Sequence, residues 1–321
     1  MTGVRLALAL LLALAGRAAA QEHGGPVAQH PDPAGAHAAP ASSRDIDIMH
    51  HLGNSNVLEY PCFEPGWTCT AELPRFAPVH VGPVTLDLSP TKHLVYLVAA
   101  AAIVALTFIL VARLVARAQA EGRPPRGFAA AMEAMALYIR QEVVLPNVGP
   151  HGEGYAPYLL TVFFFILLCN LLGLLPWGAT ATGNIAVTGA LALMSFVVIE
   201  VAGMRTLGLK GYLGTIFFVP HGLPALLKPV MLVIMTPIEI IGKLAKPFAL
   251  AVRLFANMTA GHVVVLALIG LTFFFQSALV GVAASVMAMG IMLLELFVAF
   301  LQAFVFTLLT SVFIGLMRAE H

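Results

Sequence analysis

Charge is scarce in this chain. Of 321 residues, 17 are Lys or Arg and 16 are Asp or Glu, 10% in all, against roughly 25% in an ordinary soluble domain. That deficit argues against a soluble globular enzyme. The formal net charge of +1 argues against a nucleic-acid binder, whose nonspecific affinity rests on clustered Lys and Arg. Three cysteines are too few for a disulfide scaffold. The sequence also lacks a G-x-x-x-x-G-K-S/T phosphate loop, an H-E-x-x-H metal helix and a G-x-S-x-G nucleophile elbow, and it shows no evident inverted repeat of the secondary-transporter kind. No cofactor is implied, and no catalytic centre of the chain's own.

What the chain has in excess is apolar residues. They make up 60% of it, with a mean hydropathy of +0.91, and they are gathered in long runs, so lipid is the expected solvent. Residues 1–20 carry Arg5, the apolar run Leu6 to Ala15 and then Ala18-Ala19-Ala20. This pattern reads as a signal peptide cut after Ala20, because the run is too short for the ~20 residues of a spanning anchor. Residues 21–91 are expected to be an exported N-terminal segment. From Gln21 to about Ser43 it is rich in Gly, Pro, Ala and His without periodicity and is expected to be disordered; its histidines are not expected to form a specific metal site. Cys62 and Cys69 flank a Pro-Gly turn on the exported side and are expected to form a local disulfide. Cys169 lies in an apolar helix and reads as a small buried hydrophobe.

Residues 92–321 form the membrane domain. The apolar runs predict an all-α membrane protein with spanning helices at about 94–116, 157–176 and 184–204 and two long segments at about 228–270 and 279–317. A surface helix is expected at 127–145. Residues 211–227, apolar but broken by Gly and Pro, are expected to form a re-entrant hairpin. Arg113, Arg117, Arg123, Arg126, Arg140, Arg205, Lys210 and Arg318 mark the cytoplasmic side by the positive-inside rule, which puts the mature N-terminus outside and the C-terminus in the cytoplasm.

Polar residues inside such a background point to chemistry. Between Ala249 and Met317 the only formally charged residues are Arg253 and Glu295, and His262 is the other group that titrates near neutral pH. A charge at membrane depth costs several kcal/mol unless paired or hydrated, which makes Arg253 a functional candidate; the plainer reading is an Arg that snorkels or pairs structurally. Glu239, Lys246 and Arg253 recur every seven residues on one helical face, with Lys243 one turn after Glu239 and Asn257 one turn after Arg253. Pro237 and Pro247 interrupt that stripe. His262, nine residues past Arg253, falls half a turn out of phase and faces another surface. Glu295 and Gln302, seven apart, share a face of the last helix. A carboxylate and an imidazole on neighbouring helices suit proton passage through water, and they equally suit a buried pair that stitches helices together. Glu200, five residues before Arg205, reads as an interface residue.

The segments AVRLFANMTAGH (251–262), LQAFVFTLLTSVF (301–313), the closing AEH, LDLSPTKHLVYL before the first helix, NLLGLLP after the second and PIEIIGKLAKPFAL before the Arg resemble subunit a of the ATP synthase membrane sector over roughly residues 80–321. The resemblance implies a proton-translocating stator in a bacterial plasma (inner) membrane, with two half-channels against a rotating c-ring, and with the peripheral stalk subunit b and the rest of the complex as further partners. It implies that the two long segments are steeply tilted helices facing the ring. Arg253 matches the family's essential Arg, and Asn257 and Gln302 match polar positions that accompany it. Glu239 matches an acidic position on the cytoplasmic side. His262 and Glu295 match an acid and an imidazole position with the two residue types exchanged, and Ala249 stands where the family has Ser. An independent transporter and a structural assembly factor are the rival readings.

Overall fold

The computed structural model describes residues 56–61, 68–76, 79–81, 84–86, 89–150, 152–175, 180–217 and 228–319. The expected signal peptide, the Gly/Pro-rich stretch, Cys62 with its expected disulfide to Cys69, and residues 218–227 of the expected hairpin lie outside them. Within the segment expected to be exported, β1 (Val57–Pro61) pairs antiparallel with β2 (Thr68–Glu72), and β3 (Val79–Val81) with β4 (Val84–Leu86).

From Lys92 onward the chain is helical. The elements are α1 (Lys92–Ala120), α2 (Phe128–Tyr138), a π-helical turn (Ile139–Val144), α3 (Leu145–Val148), α4 (Ala156–Gly173), α5 (Ile185–Ile216), α6 (Lys228–Phe275) and α7 (Ala278–Ala319). Five of them (α1, α4, α5, α6 and α7) are long and apolar enough to cross a membrane. The chain is a multi-pass, all-α membrane protein. Helices are the expected form, because a hydrocarbon solvent offers no partner for a backbone N–H or C=O. The π-helical turn precedes Pro146, whose missing N–H leaves the carbonyl of Glu142 without its helical donor. Asn147 Nδ2 donates to the carbonyl of Val143 at 2.6 Å in the same turn.

α4 is the centre of the bundle. Leu159, Phe163 and Ile166, at i, i+4 and i+7, are fully buried. Phe163 meets Phe300 of α7 edge to face at 5.8 Å, and Phe164 meets Phe108 of α1 at 4.5 Å. On its other side the Tyr158 hydroxyl hydrogen-bonds Ser195 of α5 at 3.1 Å. Asn170, also fully buried, has its polar atoms matched: Nδ2 donates to the Ala299 carbonyl at 3.2 Å, and Oδ1 accepts from the Thr182 hydroxyl at 2.8 Å. α5 begins at Asn184, whose side chain accepts from the backbone N–H of Ala186, a standard way to satisfy the first turn of a helix.

α6 has 48 residues and α7 has 42. At 1.5 Å per residue they are about 72 and 63 Å long, twice the ~30 Å of bilayer hydrocarbon, so neither stands upright in a membrane. They pack against each other, and α6 continues through both Pro237 and Pro247. Of the most apolar 18 residues, 11% are buried in α6 and 28% in α7, against 56% in the span that contains α4. The two long helices therefore form the open flank of the bundle.

The apolar pattern ends the third spanning helix at about 204, and Gly208 (φ 69°, ψ 169°), non-helical, divides α5 close to that point into two helical segments that meet at a sharp bend. That conformation is open to glycine alone. The bend carries consequences: Tyr212 and Glu200, about 18 Å apart along a straight helix at 1.5 Å per residue, come into hydrogen-bond contact. Replacing Gly208 with Ala forces a Cβ into this backbone conformation, at an expected cost of about 1–3 kcal/mol. The check is the thermal dissociation midpoint of the purified assembly, which should fall in Gly208→Ala and stay unchanged in the control Gly214→Ala, where a Cβ meets open space.

Candidate functional site

The candidate residues gather where α6 crosses α7. On α6, Leu250, Ala251, Leu254 and Met258 are buried against the bundle, and this i, i+4, i+8 spacing turns Ala249, Arg253, Ala256, Asn257 and Ala260 outward, all of them exposed. Arg253 is thus a permanent cation on an outer face whose neighbours are small. Its backbone is held from behind: Gln302 of α7, buried, donates from Nε2 to the Arg253 carbonyl at 2.8 Å. Gln302, which the resemblance places in company with Arg253, meets its main chain.

One turn further along, α6 and α7 part around a cavity of about 390 Å³. Gly173, Leu174 and Thr180 line one side of it, and Asn257, Gly261, His262 and Glu295 line the rest together with apolar side chains. The cavity has room for several waters, each of which occupies ~30 Å³ in the liquid. Glu295 Oε1 is buried and has no hydrogen-bond partner among the described residues. Gly261 makes its position possible, since a Cβ there would overlap the Glu295 carboxyl group. Thr180, on the rim, accepts a hydrogen bond at its carbonyl from the buried His93 ring at the start of α1, 3.2 Å away, or meets that nitrogen as an acceptor in the other tautomer.

The structure therefore brings Asn257, His262 and Glu295 to one cavity and leaves Arg253 beside it on the outer face. The half-turn phase difference between Arg253 and His262 corresponds to that division. Glu239 stands apart, half-buried and 14 residues before Arg253 on α6. The anticipated polar stripe is corrected at Lys243 and Lys246. Lys243 is buried towards α5, and the Lys246 ammonium lies over the Phe313 ring of α7, 4.9 Å from its centroid. Glu200 is buried, accepts a hydrogen bond from the Tyr212 hydroxyl and lies 3.9 Å from the Lys243 ammonium, which also donates to Thr215 at 3.0 Å. The only sequence signal for this cluster was a Glu in an apolar helix, since its partners come from beyond the bend and from another helix.

A known-family model described as ATP synthase A chain matches residues 94–315, which span all five long helices and the cavity between the last two. The chain belongs to the ATP synthase A chain family. Its relatives include an ATP synthase subunit a of Chlorobium phaeobacteroides, 47% identical over 275 residues that cover 85% of this chain and 75% of the relative. An ATP synthase subunit a 2 of Chlorobium luteolum is 45% identical over 318 residues, 94% of this chain and 88% of the relative. An ATP synthase subunit a of Anaeromyxobacter dehalogenans is 40% identical over 307 residues, 94% and 78% of the two chains. Membership of this family makes the ATP synthase complex the setting of this chain.

The close fit of Gly261 against Glu295 gives a test of the site geometry. Gly261→Val should displace the Glu295 side chain and, if Glu295 lies on a proton path, lower proton flux through the assembled complex by about tenfold or more, since a ~1 Å misplacement of a reacting group carries losses of that order. Gly270→Val, on the same helix where a Cβ meets open space, should leave flux unchanged; both are read by dye-monitored proton uptake in vesicles.

Proposed function

We propose that this chain, as the proton-translocating stator subunit of a rotary ATP synthase, works through Arg253 as the barrier between two aqueous half-channels. The observation that carries the reading is a permanent cation on the exposed face of α6 beside a cavity lined by Asn257, His262 and Glu295. A fixed guanidinium favours the ionised form of any carboxylate brought against it in a low-dielectric setting. A rotating c-ring carries such carboxylates past it in turn. Each loses its proton on approach and regains one after passing, and the guanidinium keeps protons from passing directly between the half-channels.

In this reading the cavity belongs to the exterior half-channel, where Glu295 and His262 exchange protons with water and Asn257 hydrogen-bonds the path near Arg253. An acid and an imidazole both suit that task, each able to hold or release a proton near neutral pH when its surroundings are tuned. Glu239 serves the cytoplasmic half-channel. Gln302 keeps the backbone of Arg253 in register with α7 through its bond to the carbonyl. The exposed apolar faces of α6 and α7, with Ile241, Phe248, Val286 and Phe297 among their open residues, meet the ring and lipid. The peripheral stalk subunit b docks elsewhere on the bundle. The subunit holds no nucleotide site of its own. It sits in a bacterial inner membrane with the mature N-terminus outside and the C-terminus in the cytoplasm, an orientation supported by the basic loops, and residues 21–91 lie on the exported side after removal of a signal peptide.

The test is proton flux in vesicles carrying the assembled complex. Arg253→Ala should abolish ATP-driven pumping while passive leak is retained or rises. Pumping that stays coupled would remove Arg253 from the mechanism. Substrate-dependent transport by the purified chain alone would favour an independent transporter, and lost assembly without any change in flux per complex would favour a scaffold. Glu295→Gln and His262→Ala should each slow coupled flux by about 10²-fold, the lower range for loss of a positioned proton-transfer group, with the complex still assembled by native electrophoresis.

A further inference from the structure

The Glu200, Tyr212, Thr215 and Lys243 cluster has no part in the pathway described above, yet it places an acid and a base deep between α5 and α6. Lys243 and Glu200 are each about nine-tenths buried. Their charged atoms lie 3.9 Å apart, and each has a second partner: the Tyr212 hydroxyl donates to Glu200, and the ammonium donates to Thr215 and lies 4.7 Å from the centroid of the Tyr212 ring. A carboxyl and an amino group buried between helices are costly unless each is matched, and here each has polar partners. Removing one leaves the other buried and uncompensated.

Its place on α6 is what matters. Pro247 has no N–H to give to the carbonyl of Lys243, four residues back, so the helical ladder of α6 is broken at the very residue whose side chain is held by α5. Six residues after Pro247 the Arg253 carbonyl accepts the bond from Gln302 of α7. Two side-chain anchors thus straddle the weak point of α6, one on α5 before it and one on α7 after it. Arg253 lies about 15 Å beyond Lys243 at 1.5 Å per residue. A change of angle at Pro247 would swing it across the outer face.

We propose that the Lys243–Glu200 pair, completed by Tyr212 and Thr215 across the Gly208 bend, is a latch that fixes the angle of α6 at Pro247 and so positions Arg253; Lys243 and Glu200 are positioning residues and carry no protons themselves. The proposal rests on Arg253 acting as the barrier between half-channels.

The experiment uses vesicles carrying the complete complex. ATP hydrolysis, ATP-driven proton uptake and passive leak under an imposed pH gradient are normalised to the assembled complex. The variants are Lys243→Met, the exchanged pair Glu200→Lys with Lys243→Glu, the conservative Lys243→Arg, and Arg253→Ala as reference. Lys243→Met should lower protons pumped per ATP hydrolysed by on the order of tenfold through an increased leak, as an unpaired buried Glu200 pulls α6 from its seat. The exchanged pair and Lys243→Arg should restore coupling to within about twofold, since each keeps one cation facing one anion. A lower yield of complex with unchanged coupling per complex would overturn the latch and leave a purely structural pair. Slowed pumping without leak that the exchange fails to rescue would also overturn it, because that pattern belongs to a proton carrier. If Arg253→Ala itself stays coupled, the barrier reading fails; if Arg253→Ala uncouples and Lys243→Met does not, the latch alone fails.

Discussion

A guanidinium cannot lose its charge at any accessible pH, and hydrocarbon penalises that charge by several kcal/mol unless something answers it. Arg253 stands on the outward face of α6 among small and apolar neighbours, with its carbonyl engaged by Gln302 of α7. α4 supplies a packed centre, α7 braces α6 from behind, and the flank that carries Arg253 is exposed.

Other buried polar groups are matched within the bundle. Asn170 and Thr182 satisfy each other and a carbonyl of α7, so they join three segments without leaving an unmatched atom in the core. Glu200 and Lys243 do the same for α5 and α6 with full charges. Glu295 differs: its buried Oε1 has no partner among the described residues and borders a cavity large enough for water. A group left in that state beside water-sized space is suited to chemistry, whereas one matched on all sides is suited to holding helices together.

The five long helices were legible because apolar runs of such length, with so little charge in them, are stable only where lipid replaces water around them. Arg253, His262 and Glu295 were legible because each stands nearly alone in such a run. The bend at Gly208 was not: its non-helical backbone turns the chain between two helical segments, and only the packing states what that turn brings together. The ladder of Glu239, Lys243, Lys246 and Arg253 was legible as a spacing but not as a set of destinations. A 3.6-residue repeat states which residues share a face, and only the packing states which neighbour that face meets.

The sequence by itself determined that this chain lives in lipid, that it crosses the membrane several times, and that a single Arg stands in the long apolar stretch between Ala249 and Met317. These are matters of composition and periodicity, set by the solvation cost of each residue along a helix. Only the tertiary structure decided that His262, Asn257 and Glu295 share one cavity, that Gln302 holds a carbonyl instead of a guanidinium, and that Lys243 meets Glu200. Those pairings join residues as few as 33 and as many as 49 positions apart, such as His262 to Glu295 and Arg253 to Gln302. They depend on a bend at one glycine and the crossing of two long helices, and such geometry arises from packing that no local pattern encodes.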